Sequence, residues 1–212
     1  MISNKTNKIK AAITAVGGYI PEDFISNRDL EKMVDTNDEW ITARTGIKKR
    51  RILKDKDKAT SFLASNAAKD LINKKKIDPS SIDLVIVATI TPDFHVASTA
   101  PTVASEINAI NAYAFDINAA CSGFLYGMST ATSYIESGRY KKVLLIGADM
   151  MSSIVDYTDR STSILFGDGA GAVLVEPSTN GFGWEDEYLR SDGVGAEWLK
   201  VKSGGSRYPT SH

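Results

Sequence analysis

The sequence predicts an α/β protein with a parallel or mixed sheet and helices on both faces. Two runs rich in valine, isoleucine and leucine, at residues 81–90 and 141–149, are typical of strands buried on both sides, and residues 112–118 predict another short buried strand. Segments with helical spacing of apolar residues separate these runs. Because parallel strands need crossover connections, which are usually helices, this alternation indicates a layered fold.

The layered pattern begins with a strand. A β-like run covers residues 9–20 and ends in a turn at Pro21. Asn27 is expected to cap a short helix over residues 28–34, because an asparagine side chain accepts a hydrogen bond from an early N–H of a helix.

The next segment predicts a helix and then an exposed strand. Either Thr36 or Asn37 is expected to cap a helix over residues 38–45, whose first turn carries acids that the helix dipole favours. Gly46 is expected to end this helix. The strand is predicted over residues 47–53.

Three longer segments are predicted to be helices, over residues 60–76, 97–110 and 121–136. In the first and third, apolar side chains recur at helical spacing: Phe62, Leu63, Ala67 and Leu71, then Phe124, Met128, Ala131 and Ile135. Pro101 is tolerated in the first turn of the second helix. Three lysines close the first helix, and Gly138 is expected to end the third.

The last apolar segment, residues 162–177, predicts two apolar runs around a glycine-rich turn. Its glycine-rich part, FGDGAGAVLV at residues 166–175, lacks the lysine and the serine or threonine that a phosphate-binding loop needs. We therefore expect a turn whose glycines let the strands pass close to the helix over residues 121–136.

The layered pattern covers residues 1–176, and the composition changes after it. Residues 177–212 are rich in glycine, serine and turn signals. We expect one layered unit followed by a surface excursion, with the chain ending inside that excursion.

The composition limits the classes of function. The 212 residues are 42% hydrophobic and carry a formal net charge of −1, so there is no basic field for nucleic acid. No run approaches the ~18 apolar residues of a membrane span. The N-terminal apolar run is short for a signal peptide, and one cysteine fits a reducing compartment. These observations predict a cytoplasmic protein without membrane association.

Cys121 is the only cysteine, and the residues alone leave two interpretations of it open. A free cysteine usually behaves as a small buried hydrophobic residue. Cys121, however, lies where a predicted strand meets a predicted helix, a junction that presents nucleophiles in other enzymes. A helix N-terminus favours a thiolate, and small neighbours leave room for an acyl group and expose N–H groups to an oxyanion.

A cysteine nucleophile needs a partner that handles protons, and the sequence offers His95 and His212. His95 lies in a loop after a predicted strand, and His212 is the last residue. Neither position indicates a catalytic base. We therefore interpret the chain as part of a catalytic site that lacks its complement.

Four motifs follow one another along the chain. They are DTNDEWITARTGIKKRRI at residues 35–52, DINAACSGFLYG at 116–127, DYTDRST at 156–162 and FGDGAGAVLV at 166–175. In this order and spacing they resemble β-ketoacyl-acyl carrier protein synthase III, a thiolase-fold condensing enzyme that starts bacterial fatty acid synthesis. The resemblance covers essentially the whole chain and implies one βαβαβαββ half of a thiolase-like layered fold.

In this family two similar halves stack, and the active-site histidine and asparagine come from the second half. The resemblance therefore implies that the chain is the N-terminal half and that this histidine and asparagine lie outside it. It also implies a homodimer whose sheets join through the first half.

The resemblance implies an acyltransferase mechanism through Cys121. This cysteine would take the acetyl group from acetyl-CoA, and the acetyl group would then condense with malonyl-acyl carrier protein, releasing CO₂ and forming acetoacetyl-acyl carrier protein. The partners would be an acyl-CoA and the acyl carrier protein, with no cofactor and no metal.

The resemblance also implies a site for coenzyme A. Trp40 and Arg160 would sandwich the adenine, Thr36 would hydrogen-bond near the base, and Arg44 would line the nucleotide site. Without the motif, Trp40 would instead be interpreted as a helix residue packed on the core.

The acyl pocket is expected to be lined by four residues that the motifs align with its wall. These are Val96, Met151, Leu165 and Phe166. Many members of the family have phenylalanine where this chain has Val96. A smaller side chain there would admit a longer or branched primer, since each accommodated CH₂ contributes ~0.8 kcal/mol.

Residues 48–51 form the basic run KKRR, a pattern typical of a solvated strand face. Alternation sends Lys48 and Arg50 to one side and Lys49 and Arg51 to the other. A role near the phosphates of CoA or the acidic carrier protein is the alternative.

Two other functions stay open beside the synthase reaction. One is a related condensing enzyme of the thiolase superfamily with a different acyl-CoA primer. The other is a half that is catalytically inactive but still dimerises or binds CoA.

Overall fold

The computed structural model of the chain describes residues 9–210, and a five-stranded mixed sheet forms its centre. The strands are β1 (Ala11–Tyr19), β2 (Phe24–Ser26), β3 (Lys49–Arg51), β4 (Leu84–Ala88), β5 (Tyr113–Ile117), β6 (Val143–Met150) and β7 (Asp168–Pro177). The central sheet has the order β1-β7-β6-β4-β5, while β2 and β3 pair separately. Strands β4, β5 and β6 are parallel, and β7 is antiparallel to both β6 and β1.

Helices cover both faces of this sheet. The α-helices are α1 (Asn27–Leu30), α2 (Asp38–Thr45), α3 (Thr60–Lys75), α4 (Thr99–Glu106), α5 (Gly123–Glu136) and α6 (Arg160–Ser163). Short 3₁₀ turns occur at Pro79–Ser81, Ala120–Ser122, Met151–Ser153 and Gly193–Glu197. Helices α3 and α4 pack on one face and α5 on the other. The predicted α/β fold, with a mixed sheet between two helical layers, is confirmed.

Burial on both faces explains why β4 is apolar along its whole length. All five of its residues are buried. Leu84 and Ile86 belong to the cluster packed against α5, and Val85 and Val87 belong to the cluster packed against α3 and α4. Successive side chains point to opposite faces, so a strand whose two faces are both covered by helices has no solvent-exposed position for a polar residue.

Strand β1 packs directly on the backbone of α3 at Gly17. A Cβ atom added there would lie 2.5 Å from Ala67 O and 2.5 Å from Leu71 N. Real side chains do not approach backbone atoms so closely, so this contact between strand and helix requires a glycine.

Some of the predicted elements are wrong. The strand predicted as exposed over residues 47–53 is limited to Lys49–Arg51, and Arg50, Ile52 and Leu53 are buried. The run at residues 112–118 was expected to be buried, yet β5 is the last strand of the sheet and none of its residues is buried. The glycine-rich turn is also wrong, because Gly169 and Gly171 lie within β7, which pairs with a strand on each side. The chain reverses earlier, in the segment before Asp168.

The helix caps differ in one place from the prediction. Ser26, not Asn27, caps α1, and its hydroxyl completes a reciprocal capping box. Asn27 is buried inside the first turn. Asn37 rather than Thr36 caps α2, and Gly46 ends it with a φ of 71°, in the left-handed region.

The segment after β7 lies partly on the sheet. Pro177 ends β7, and one short 3₁₀ turn is the only regular element that follows it within the described residues. Trp184 packs against the α5 side of the core, and its backbone N–H donates to Ala11 O at 2.8 Å. The division at residue 176 stays a prediction. No helix within residues 9–210 combines the length and apolar character needed to traverse a lipid bilayer.

Adjacent glycines in β1 provide a matched test of the contact with α3. We expect Gly17→Ala to lower the free energy of unfolding by about 1–3 kcal/mol or more, because the methyl group collides with helix backbone. We expect Gly18→Ala to change it by less than about 1 kcal/mol, since its Cβ would meet only Ala170 O, at 3.6 Å. Urea unfolding followed by circular dichroism measures both, and equal losses would contradict the packing described.

Candidate active site

Several loops meet at one edge of the central sheet, which we call the carboxyl edge. It comprises the segments 89–98, 118–122 and 151–153, which follow the parallel strands β4, β5 and β6, together with residues 164–167, which lead into β7. Since β7 is antiparallel, it begins where β6 ends, and Asp168 pairs with Met150. Parallel strands end on the same side, so the topology brings these segments together.

Cys121 lies in the 3₁₀ turn between β5 and α5, and its side chain is exposed. The interpretation of this cysteine as a core residue is therefore wrong. Ala120 just before it has a φ of 48°. A non-glycine residue in this left-handed region is strained by about 1–2 kcal/mol, and such strain concentrates at functional turns. The turn presents the thiol at the carboxyl edge.

The α-helix begins at Gly123, two residues later than the sequence suggested. No side chain within the described residues caps the N-terminus of α5, and the preceding turn satisfies its start instead: the N–H of Ser122 donates to Ala119 O at 3.1 Å and that of Gly123 to Ala120 O. The dipole of α5 favours negative charge on the side where Cys121 lies.

Glycines bring α5 close to the sheet at this end. A Cβ atom at Gly123 would lie 3.4 Å from Ala88 Cβ, and one at Gly147 would lie 3.2 Å from the ring of Phe124. Strands β4 and β6 therefore support the start of α5 directly. This packing fixes the position of the Cys121 turn relative to the carboxyl edge of the sheet.

A carboxylate at the end of β6 holds the loop after β4. Asp149 Oδ1 accepts hydrogen bonds from the backbone N–H of Ile90 at 2.8 Å and of Thr91 at 3.2 Å. It also accepts from the hydroxyls of Thr89 at 2.9 Å and of Thr91 at 3.0 Å. One oxygen thus fixes three consecutive residues of the carboxyl edge.

Asp116 at the end of β5 acts in the same way. Its two carboxylate oxygens accept from Thr99 N and Ala100 N, each at 2.7 Å, and thereby cap α4.

Asp168 at the start of β7 holds two further segments. It is buried and accepts from Leu53 N at 2.7 Å and from the backbone N–H and hydroxyl of Ser152 at 2.8 and 2.7 Å. Our sequence prediction missed all three aspartates. The sequence does contain a signal for them. Each of these strands carries a single acidic residue near the end that lies at the carboxyl edge, in FDIN (115–118), GAD (147–149) and GDG (167–169).

Three of the predicted coenzyme A residues form a cluster at the ends of α2 and α6. The guanidinium carbons of Arg160 and Arg44 lie 5.5 and 5.8 Å from the centre of the Trp40 ring. Arg160 also donates to Asp35 O at 2.9 Å. Trp40 is 38% exposed, so it is not a core residue. An adenine ring could enter between Trp40 and Arg160 only after the guanidinium moves away from the indole.

Three polar groups beside this cluster have unusual environments. The hydroxyl of Thr36 is buried and has no hydrogen-bond partner among residues 9–210. Asp38, the first residue of α2, has a lowered pKa, chiefly because its carboxylate accepts a hydrogen bond from Asn27. Asp159 caps α6 just before Arg160, and the hydrogen bonds from Ser161 lower its pKa. Both carboxylates therefore stay charged at neutral pH.

The predicted acyl-pocket residues all lie on segments of the carboxyl edge. Val96 is 87% exposed, on the loop after β4, and Met151 is half-buried in the turn after β6. Leu165 and Phe166 lie between α6 and β7, exposed and half-buried respectively. A cavity of about 360 Å³ borders the loop after β4, and it is lined by Phe62, Phe94 and charged residues. None of the four predicted pocket residues lines this cavity.

The structure assigns no base to Cys121 among the described histidines. His95 is exposed on the loop after β4, and a Cβ atom at Gly204 would lie 3.5 Å from its Nε2. His212 lies outside the described residues.

The basic run at residues 48–51 is only partly solvated. Lys48 and Lys49 are exposed, and Arg51 is half-buried. Arg50 is 3% exposed, so the predicted solvated strand face is wrong at this position. Its burial is possible because neutral oxygen atoms accept its N–H groups.

Comparison with known proteins gives one consistent result. Residues 115–193 match a family model described as 3-oxoacyl-[acyl-carrier-protein (ACP)] synthase III. The chain is 58% identical over 206 residues to the β-ketoacyl-[acyl-carrier-protein] synthase III of Chlorobium chlorochromatii, which covers 96% of this chain and 63% of that protein. The chain thus spans less than two thirds of the length of the curated relatives it matches.

Solved structures give the same result. The 3-oxoacyl-[acyl-carrier-protein] synthase III of Aquifex aeolicus is 49% identical with a TM-score of 0.77, over 80% of this chain and 55% of that one. The synthase III of Thermus thermophilus is 42% identical with a TM-score of 0.82, over 88% and 57%. The predicted thiolase-like layered fold is confirmed by these likenesses.

The role of Asp149 can be tested by its removal. We expect Asp149→Ala to lower the free energy of unfolding by about 3 kcal/mol, because buried threonine donors lose a charged acceptor. Asp57→Ala is the control, since Asp57 is exposed and its carboxylate makes no hydrogen bond within residues 9–210; we expect a change within about 0.5 kcal/mol. Urea unfolding measures both, and similar values would show that Asp149 does not anchor the loop.

Proposed function

The chain belongs to the β-ketoacyl-acyl carrier protein synthase III family, and from this premise we propose that Cys121 carries the acyl group in the condensation of acetyl-CoA with malonyl-acyl carrier protein. The product would be acetoacetyl-acyl carrier protein, the first intermediate of fatty acid synthesis, formed by an acyltransferase that needs no cofactor. The exposed position of Cys121, on a left-handed turn in front of an uncapped helix, is the observation that carries this proposal.

The acylation step uses the thiolate of Cys121. Its sulfur attacks the thioester carbonyl of acetyl-CoA, the new S–C bond forms, and the bond to the sulfur of CoA breaks, so that CoA leaves as the thiolate and takes up a proton. The tetrahedral intermediate carries its charge on oxygen. The backbone N–H of Cys121 is a donor suited to that charge, and the dipole of α5 stabilises it further.

The condensation step follows on the acyl-cysteine. Malonyl-acyl carrier protein loses CO₂, the resulting enolate carbon attacks the acetyl carbonyl, and the C–C bond forms as the Cys121 thiolate leaves. We assign the acyl transfer to Cys121. Within residues 9–210 we assign no group that would stabilise the enolate. His95 is not assigned this role, because it is exposed on the loop after β4.

Trp40, Arg44, Arg160 and Thr36 form the proposed site for the nucleotide of CoA. An indole and a planar guanidinium suit the two faces of adenine, and the buried hydroxyl of Thr36 lacks a partner within the described residues. Arg44 adds positive charge beside the same ring, which suits a phosphate.

The proposed acyl pocket is lined by Val96, Met151, Leu165 and Phe166. Because valine is smaller than phenylalanine, we propose that this pocket accepts primers longer or more branched than acetyl. Val96 therefore favours the alternative in which a related condensing enzyme uses an acyl-CoA primer other than acetyl-CoA.

We further propose a homodimer that forms along β5. This strand is the edge of the central sheet, and its Tyr113 is 56% exposed, whereas β1 at the opposite edge is partly covered by the segment after β7. Edge strands with free N–H and C=O groups favour pairing with another chain. A cytoplasmic location stays a prediction.

The acylation proposal is tested by incubation with acetyl-CoA followed by intact mass spectrometry. We expect one acetyl group on the unmodified chain, located on Cys121 by peptide mapping, and none on Cys121→Ala. Acetylation that persists in Cys121→Ala would refute the assignment of Cys121. A chain that binds CoA but takes no acetyl group would support the alternative of a catalytically inactive half.

The primer proposal is tested by comparing acylation rates with acetyl-, isobutyryl- and hexanoyl-CoA. We expect the unmodified chain to accept all three. We expect Val96→Phe to slow hexanoyl transfer at least tenfold relative to acetyl transfer, because excluding two methylene groups costs about 1.6 kcal/mol. Strict preference of the unmodified chain for acetyl-CoA would contradict a wider pocket.

A further inference from the structure

We propose that Arg50 is a positioning residue for the coenzyme A site, holding the helices that carry Trp40 and Arg160 against each other. This inference rests on the function proposed above for Trp40 and Arg160. Arg50 itself touches neither of the proposed adenine contacts, and its role would be exerted through hydrogen bonds to the two helices.

The first connection leads from Arg50 to α6. Arg50 is 3% exposed, and its Nε donates to Ile164 O at 2.8 Å. A terminal nitrogen of the same guanidinium donates to the same oxygen. Ile164 directly follows α6, and its side chain packs with Leu30 and Ile41. Arg50 therefore holds the C-terminal end of the helix whose first residue is Arg160.

The second connection leads from Arg50 to α2 through Asn27. The remaining terminal nitrogen of Arg50 donates to Asn27 Oδ1. Asn27 Nδ2 in turn donates to Asp38 Oδ1 at 2.7 Å and to Ile47 O at 2.9 Å. Asp38 is the first residue of α2, the helix that carries Trp40, and Ile47 lies two residues after its end. Hydrogen bonds thus run without a break from α6 to α2.

Burial of Arg50 is costly, which indicates that its geometry matters. Within residues 9–210 no carboxylate forms a salt bridge with it, and burial lowers its pKa from the usual value. An apolar residue would avoid that desolvation but could not bridge two helices. Lysine would keep the charge but lacks the planar fork that reaches Ile164 O and Asn27 together.

The neighbouring Arg51 offers a matched control. Its guanidinium donates to Pro21 O at 3.0 Å and Glu22 O at 2.9 Å, in the loop before β2, and contacts neither α2 nor α6 through hydrogen bonds. Arg51→Lys therefore repeats the same chemical change one residue away. Cys121 provides an independent readout, since its turn belongs to β5 and α5.

The experiment compares Arg50→Lys and Arg51→Lys in a chain where Trp184→Phe and Trp198→Phe leave Trp40 as the only tryptophan. We expect Arg50→Lys to increase acrylamide quenching of Trp40 and to weaken CoA binding, measured calorimetrically, about tenfold, or about 1.4 kcal/mol. We expect Arg51→Lys to change neither. The rate of Cys121 alkylation by iodoacetamide should be the same in all three chains, which separates positioning from general unfolding.

Other results would contradict the proposed role of Arg50. CoA affinity and Trp40 quenching that stay within twofold in Arg50→Lys would overturn the proposal, as would a parallel change in Cys121 alkylation. If Arg50→Lys does not fold, Asn27→Ala replaces it, because it breaks the connection to α2 and spares the one to α6; unchanged quenching there is a refutation. If the unmodified chain binds no CoA, the proposed function fails, and Trp40 quenching alone decides the role of Arg50.

Discussion

Carboxylates at the carboxyl edge are the constraint on which the rest of the site depends. Loops at the end of a sheet expose backbone N–H groups that need acceptors, because the regular pairing between strands stops there. Three aspartates within the strands supply these acceptors. Asp116 accepts from the start of α4, Asp149 from the loop after β4, and Asp168 from the residue Leu53 that follows β3. Because a charged acceptor forms stronger hydrogen bonds than a neutral one, these three side chains fix residues 89–91, the start of α4 and Ser152 in the surroundings of Cys121.

The two proposed subsites are built by different means. Cys121 depends on the sheet itself, since glycine contacts place α5 on β4 and β6 and a strained alanine turns the thiol outward. The nucleotide cluster lies on α2 and α6, short helices outside the sheet, and side-chain hydrogen bonds centred on Arg50 join them. The segment from Ile164 to Asp168 connects the subsites, because one end accepts from Arg50 and the other from Ser152.

Sequence patterns predicted those features that local physics determines. Strand β4 was predicted because burial on both faces leaves a continuous apolar run, and Gly46 was predicted because a left-handed residue must end α2. Strand β5 was wrongly predicted as buried, because its place at the edge depends on strand order rather than on its own residues. The burial of Arg50 was missed for a related reason: its acceptor Ile164 lies 114 residues away along the chain.

The arrangement around Trp40 indicates how an adenine would bind. Arg160 occupies the face of the Trp40 indole, and the backbone carbonyl of Asp35 holds it there. An exposed cation–π contact contributes about 0.5–1 kcal/mol, whereas stacking of a base on an aromatic ring contributes about 1–3 kcal/mol. Exchanging one for the other yields only a modest net gain. The proposed adenine contact would therefore contribute at most about 2 kcal/mol, and the phosphates and the acyl chain would supply the rest of the affinity.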